Sequence, residues 1–236
     1  DIISYDGTTP RSIHFKKGAV CSELTEEPLD KRNRRTGTIT RWRPDIEVFT
    51  DIKIPHDFFK ETMRRQSVVN TGIRFVLLLE QEDGSFERHE YCYANGIIDY
   101  VNELAGESAM IPPYSWHLEA KGRDREDKPE YKLKADFSFS VSNTVNTIEY
   151  YHNSSFLEHG GAPDKAVKIG FVSALDKYLK NNGKYNKNES KITFADIGDC
   201  LVMVINSFST IPPYENQTKK AITNKFIQEA MTDFFR

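Results

Sequence analysis

Hydrophobic and polar positions alternate most cleanly over residues 131–141. There Leu133, Ala135, Phe137, Phe139 and Val141 interleave with Lys132, Lys134, Asp136, Ser138 and Ser140. A period of two sends the two sets to opposite faces of a strand, and one wet face fits an antiparallel sheet. Residues 147–152 predict a strand pairing nearby, and 201–205 an apolar strand. Residues 73–79, apolar but for Arg74, are a run of strand length, expected to be buried on both faces. Asp83-Gly84 then turns the chain, and 86–93 return as a hairpin partner. Nearer the start, 11–17 alternate well enough for a strand after a turn at Asp6-Gly7. Residues 38–42 are a β-branched and aromatic run that Pro44 stops.

Helical spacing appears between these strands. Pro55 suits a first turn, and Phe58, Phe59, Thr62, Met63 and Gln66 recur at helical intervals over 55–69 before Asn70-Thr71-Gly72 stops the helix. After a break at Asn95-Gly96, residues 97–104 predict a short helix closed by Gly106. Pro112-Pro113 and the charged segment 121–129 bracket a loop or turn. Past Gly160-Gly161, a helix over 164–179 carries Val167, Phe171, Ala174, Leu175 and Tyr178 on one stripe, with Asn182-Gly183 as its stop. A final helix is expected to begin near Gln217 and to align Ile222, Phe226, Ala230, Met231 and Phe234. This order predicts an α+β fold of two units meeting near residue 95.

Composition narrows the function. The chain has 236 residues, 38% hydrophobic and 12% aromatic, which is enough to bury a core. Its net charge is −3, from 32 basic and 35 acidic side chains. Tight duplex binding draws on a basic surplus, so any DNA role is expected to be local or indirect. The dense basic run Lys31-Arg32-Asn33-Arg34-Arg35 reads as a solvated loop. Cys21, Cys92 and Cys200 are odd in number and lack CxxC spacing, which argues against a disulfide framework or zinc knuckle and for a reducing cytoplasm. Neither a membrane span nor a signal peptide is expected. Beginning at Asp1 and strand-like within a few residues, the chain reads as part of a longer protein.

Self-contained active sites are absent by pattern: there is no GxGxxG, P-loop or GxSxG. His89-Glu90 lacks a second histidine at i+4, and His14, His56, His117, His152 and His159 read as solvated or hydrogen-bonded. Two places hold candidate chemistry. In the run from Thr36 to Asp45, Gly37 permits a close backbone approach and Thr38 offers a small hydroxyl, although the same residues also suit an ordinary turn and strand start. In Pro212-Pro213-Tyr214-Glu215-Asn216-Gln217-Thr218-Lys219, a polar loop runs into the expected final helix. A helix start favours phosphate, Lys219 adds a mobile cation and Gln217 an amide; equally, Asn216 or Thr218 caps the helix and Lys219 is solvated.

Taken in order, these segments resemble the bacterial DNA gyrase B and topoisomerase IV B family. The resemblance runs through Gly37-Thr38, Pro44-Asp45 and Val48-Phe49, then Asn70-Thr71-Gly72-Ile73 and Tyr93-Ala94-Asn95-Gly96-Ile97 with Tyr100-Val101. It continues through Gly160-Gly161, Gly170-Phe171 and Leu201 to Gln217-Thr218-Lys219, its most diagnostic tripeptide. It implies that residues 1–95 are the C-terminal portion of a GHKL ATP-binding domain, and 96–236 a transducer domain similar to ribosomal protein S5 domain 2. It also implies that Thr38 lies in the nucleotide pocket, and that Gln217 and Lys219 reach the terminal phosphate of ATP. The catalytic glutamate, magnesium-binding asparagine, adenine-binding aspartate and glycine-rich lid of the family precede Asp1, and its Toprim domain follows Arg236. The fragment alone is thus expected to be inactive and to hold neither ATP nor Mg2+. The full-length protein would be a cytoplasmic type II topoisomerase component working with a second copy of itself, the topoisomerase A subunit and duplex DNA.

Two segments depart from the family. Its Asp-x-Arg-Glu-Gly-Leu appears as Asp196-Ile197-Gly198-Asp199-Cys200-Leu201, and its Gly-Gly-Thr-His as Gly160-Gly161-Ala162-Pro163. These departures admit a diverged paralogue acting as a non-catalytic dimerisation clamp. A MutL-like DNA-repair clamp shares the two-domain plan.

Overall fold

The structure, a computed structural model, describes residues 1–211 and 220–236. It divides into two units, Asp1–Pro55 and His56–Arg236. The first unit is built of short strands: β1 (Ile2–Asp6), β2 (Pro10–Ile13), β3 (Phe15–Lys16), β4 (Ala19–Val20), β5 (Thr25–Glu26) and β6 (Thr36–Thr40). Four form an antiparallel sheet ordered β5-β2-β1-β6, while β3 and β4 pair separately. The Asp6 carboxylate closes the β1–β2 turn by accepting the backbone amides of Thr8 and Thr9, both at 2.9 Å. Those amides, and then Arg11, hold its carboxyl far below the usual carboxylate range. Residues 31–33 make one exposed 3-10 turn, so the basic run is solvated.

The second unit opens with α1 (His56–Val69), which packs on the hairpin of β7 (Phe75–Glu80) and β8 (Phe86–Tyr91). Here one expectation is corrected. β7 is not buried on both faces: Leu77 and Leu79 are buried, whereas Val76 and Leu78 are 38% and 53% exposed. A two-stranded hairpin has two faces, and among the described residues α1 covers only one.

Then come α2 (Ile97–Ala105), β9 (Tyr114–Gly122), β10 (Tyr131–Val141), β11 (Thr147–His152) and β12 (Ser155–Phe156). They are followed by α3 (Ala162–Asn181), α4 (Phe194–Gly198), β13 (Leu201–Ser209) and α5 (Lys225–Phe235). The main sheet is ordered β12-β11-β13-β10-β9. β10 runs antiparallel to β9 and β13, while β11 runs parallel to β13. Alternation on β13 divides the core. Leu201, Met203 and Ile205 join Leu133, Ala135 and Phe137 of β10 against α3 and α5, whereas Val202 and Val204 pack with Tyr100 and Val101 of α2.

Three further readings are corrected. Residues 114–122 are a nine-residue edge strand rather than part of a loop; Tyr114, Trp116, Leu118 and Ala120 do alternate, but charges crowd the end of the run. Tyr178 is 58% exposed and lies off the buried stripe of α3. The final helix starts at Lys225, not near Gln217, because Ile222 is committed to a bridge with Gly161 and Asn224 is the N-cap.

Candidate functional site

Thr38 sits on β6 opposite Ser4, with Gly37 opposite Tyr5. Gly37 has φ +136°, which disfavours any side chain, and a Cβ there would meet nothing within 4 Å. Thr38 is exposed, and among the described residues its hydroxyl has no hydrogen-bond partner. The following Asp45 organises a turn, its carbonyl accepting from Val48 (3.0 Å) and Phe49 (2.9 Å) and its carboxylate from the Glu47 amide (2.9 Å). This corner offers a small polar side chain and bare backbone to a ligand.

Gln217 and Lys219 lie outside the described residues, which end at Ile211 and resume at Lys220. On the near side, Ser209 ends β13, and its hydroxyl donates to the Ile211 carbonyl at 3.2 Å. On the far side, Lys220 pairs with Glu158 at 2.5 Å, and its carbonyl accepts the His159 amide at 2.9 Å. Two residues on, the Ile222 carbonyl accepts the Ala162 amide at 2.7 Å. Gly161 makes that approach feasible: its φ is +82°, and a Cβ would fall 2.2 Å from the Ile222 oxygen.

The start of α5 is not free to hold phosphate, because the protein supplies its own anion. The Asp124 carboxylate accepts the Phe226 amide (3.0 Å), the Asn224 side-chain amide (3.0 Å) and the Tyr131 hydroxyl (2.9 Å). An acidic group at a helix N-terminus is favourable there. In the sequence Asp124 is one more charge in the segment 121–129, with nothing to single it out.

A second group that the sequence does not mark is the cluster joining α1 to β11 and β12. The Glu149 carboxylate accepts the hydroxyls of Tyr100 (3.0 Å) and Tyr151 (2.6 Å). Burial first, and the adjoining Glu149 second, push both phenols above their ordinary value, so they remain donors. From α1, Arg65 lies 3.7 Å over the Phe156 ring, and Gln66 donates to the Ser154 carbonyl at 3.1 Å. The Arg65–Phe156 and Gln66–Ser154 contacts join residues far apart in the sequence, so no local pattern signals them.

Of the two segments that depart from the family pattern, the first retains Asp196 as a helix cap, and the second places its changed residues at a helix start. The Asp196 carboxylate accepts the Thr193 amide at 2.7 Å as half of a capping box on α4. Ala162 and Pro163 begin α3, where proline fits the first turn. An apolar cavity of about 430 Å³, lined by Trp116, Phe139, Phe171, Leu175 and Ile197 among others, includes none of the candidate residues. Among the described residues no three His, Cys, Asp or Glu side chains are grouped to hold a metal, and no helix is long and apolar enough to cross a membrane.

The family model described as DNA gyrase B matches residues 96–236. The chain belongs to the DNA gyrase B family. It is 23% identical over 230 residues to the DNA gyrase B protein of Enterococcus faecalis, a match covering 93% of this chain and 34% of that protein. It is 27% identical over 195 residues to the gyrase B protein of Metamycoplasma arthritidis, covering 80% and 29%. The chain thus spans about a third of the length of the curated gyrase B relatives it matches. Among solved structures, gyrase B from Myxococcus xanthus superposes with TM-score 0.71 at 15% identity, covering 99% of this chain and 63% of that one. The 43K ATPase domain of Thermus thermophilus gyrase B, in complex with an aminocoumarin, gives 0.68 at 19% identity, covering 98% and 60%. The topoisomerase IV ATP-binding domain of Francisella tularensis gives 0.64 at 23%, covering 99% and 61%. These likenesses establish the fold: α+β, with sheets and helices arranged as in the ATPase regions of gyrase B proteins.

Proposed function

We propose that the full-length protein is the B component of a type II DNA topoisomerase, and that this chain carries its nucleotide-sensing part. Residues 1–95 would complete a GHKL ATP-binding domain, and 96–236 would form the transducer. What carries the reading is family membership over 96–236 together with the retained Gln217-Thr218-Lys219 between β13 and α5. The chemistry of these side chains supports it: Lys219 would bring a compact ammonium and Gln217 an amide to a terminal phosphate, and Thr38 on its own strand would bring a small hydroxyl. When bound, ATP with Mg2+ supplies a concentrated negative charge that these groups can meet.

In this reading Lys219 neutralises the terminal phosphate while Gln217 donates a hydrogen bond to it. Both contacts exist only while the phosphate is present, so they bias the transducer between two positions. Two copies of the protein would close as a gate, and with the topoisomerase A subunit they would pass duplex DNA. This role does not need the basic surplus the chain lacks, since the phosphate sensed belongs to the nucleotide.

The Lys219→Met variant of the full-length protein tests the reading. ATP-dependent strand passage should fall about a hundredfold, the scale for losing one charge-stabilising donor, while dimerisation in the absence of nucleotide is retained. Strand passage near that of the wild type would overturn it. Nucleotide-dependent dimerisation with no strand passage in the wild-type protein would instead favour a clamp of the diverged-paralogue or MutL kind.

A further inference from the structure

β9 is the last strand of the main sheet, and among the described residues nothing pairs with its outer edge. Natural sheets keep their free edges short or irregular, whereas this one runs for nine residues, Tyr114–Gly122, in unbroken register with β10. The direction of its backbone groups follows from β10. There the Lys132 carbonyl accepts the Thr210 amide at 3.3 Å, so the even-numbered positions of β10 turn toward β13. The odd-numbered positions turn the other way, and the Val141 carbonyl accordingly accepts the Met110 amide at 2.7 Å. Ala135 and Phe137 therefore bond to Leu118 and Trp116, their partners in register. This leaves the amides and carbonyls of Ser115, His117, Glu119 and Lys121 pointing outward from the sheet.

Side chains along the edge form two rows. Tyr114, Trp116, Leu118 and Ala120 share a face with Phe137 and Phe139, and Tyr114 and Trp116 remain 53% and 42% exposed on it. Ser115, His117, Glu119 and Lys121 take the opposite face, and all are exposed. Each row is complementary to its own reverse. About a twofold axis at Leu118, an antiparallel second copy sets Tyr114 against Gly122, Trp116 against Ala120 and Leu118 beside Leu118. The same axis sets His117 opposite Glu119 and Ser115 opposite Lys121. Each aromatic thus meets a small residue, and the Glu119 carboxylate meets a basic side chain.

Other registers are worse for stated reasons. Moving the axis to a point between two residues puts outward backbone groups opposite inward ones, so no ladder forms. With the axis at His117, the two His117 rings oppose each other and Lys121 meets Pro113, which has no amide to give. With the axis at Glu119, the two Glu119 carboxylates oppose each other and His117 meets Lys121. The axis at Leu118 uses the whole strand and brings no like charges together. His117 and Glu119 keep their own-chain partners on the sheet, Asp136 at 2.6 Å and Lys134 at 2.7 Å, and neither contact uses the outward backbone.

We propose that β9 is a self-recognition edge: two copies of the chain join along it, antiparallel about Leu118, and their five-stranded sheets become one. The contact needs no nucleotide and does not depend on the sensing role of Lys219. One strand from each copy buries little surface, which puts the contact among weak, reversible ones with a dissociation constant on the order of 10 µM.

The experiment uses the full-length protein without nucleotide. Sedimentation equilibrium up to about 100 µM should show a monomer–dimer equilibrium. Under mild oxidation Leu118→Cys should give a dimer whose peptide map joins position 118 to itself, because directly opposed residues of a non-hydrogen-bonded pair lie about 4.5 Å apart between Cα atoms. The wild type, with Cys21, Cys92 and Cys200, sets the background. Glu119→Pro removes an outward amide and no bond to β10, so it should weaken the dimer at least about tenfold while the monomer stays folded. Melting curves check the folding of each variant. Where proline is not tolerated, Glu119→Lys carries the test, since it faces His117 with a like charge and should weaken the dimer about tenfold. A monomer at every concentration, a position-118 link no stronger than background in a folded variant, or a dimer indifferent to both Glu119 changes would overturn the proposal.

Discussion

Residues 1–55 and residues 56–236 are stabilised in opposite ways. In the first unit no residue is buried, and its strands are held by backbone pairing, the Asp6 turn and the exposed charges of Asp6, Arg11 and Glu26. In the second, α3 and α5 on one face and α2 on the other enclose side chains such as Phe137, Met203, Ile205 and Val204 that lose all contact with water. Hydrophobic burial scales with the area removed from water, so the two ladders differ greatly in free energy although each is made of paired strands. The contrast shows that strand pairing alone defines a shape, and a covered face gives it stability.

The largest effect expected from this contrast is a difference between two truncations. Phe137 stacks on Phe234 at 5.2 Å and meets Phe235 edge-on at 4.9 Å, so Phe137→Ala leaves a cavity at the centre of the second unit. It should cost about 3–5 kcal/mol. Ile39 on β6 is 39% exposed, and Ile39→Ala should cost less than about 1 kcal/mol. Urea midpoints of the two variants, taken at unchanged m-value, give the comparison directly. Equal losses would mean that the 1–55 sheet has a covered face of its own.

A smaller effect separates the units by pH. His152 in the second unit has its pKa lowered by burial from 6.5 to about 4. The unfolded chain therefore binds more protons than the folded one between those values. Stability from this group is complete above about pH 6.5 and drains away as pH falls toward 4, by on the order of 3 kcal/mol. His117, exposed and raised by its hydrogen bond to Asp136, contributes with the opposite sign. The thermal midpoint should fall between pH 7 and pH 5 in the wild-type chain, and the slope should flatten in His152→Gln. An unchanged slope would mean that the imidazole is hydrated in the folded state.

Legibility in the sequence follows the same division of forces. β10 is plain because its wet and dry faces alternate without interruption, and α1, α2 and α3 because proline, glycine and asparagine punctuate their ends. β9 alternates as well, Tyr114, Trp116, Leu118 and Ala120 against Ser115, His117, Glu119 and Lys121, but the two prolines before it and the charged run after it read as a loop and mask it. The start of α5 is displaced by tertiary commitments that local pattern does not carry. Ile222 extends the helical stripe in sequence yet bridges Gly161 in space, and Asp124 caps the helix from far away in the chain. Thr38 lies on the predicted strand, while the positions of Gln217 and Lys219 lie outside the described residues. His152 reads in sequence as solvated or hydrogen-bonded, and only the second holds. The available signal is Ser207 and Ser209, two apart beside a strand histidine, but the apolar run that predicts the strand stops at 205.

The smallest effect is the one most characteristic of the first unit. Asp6 accepts two backbone amides and a hydroxyl as well as pairing with Arg11, so Asp6→Asn keeps an acceptor for the turn while removing the charge. The side chains of Asp6, Arg11 and Glu26 are 42%, 42% and 52% exposed, and water screens such pairs strongly. Near neutral pH the variant should therefore melt within experimental scatter of the wild type at high salt, with a slight loss appearing only at low salt. The folded Asp6 carboxyl titrates far below its ordinary value, so its stabilisation is present above the unfolded value of 3.8 and disappears as pH falls below it. Melts of the wild type and Asp6→Asn should accordingly converge in acid. A loss in Asp6→Asn that persists at high salt would show that the carboxylate's second oxygen, and not its charge, holds the corner between β1 and β2.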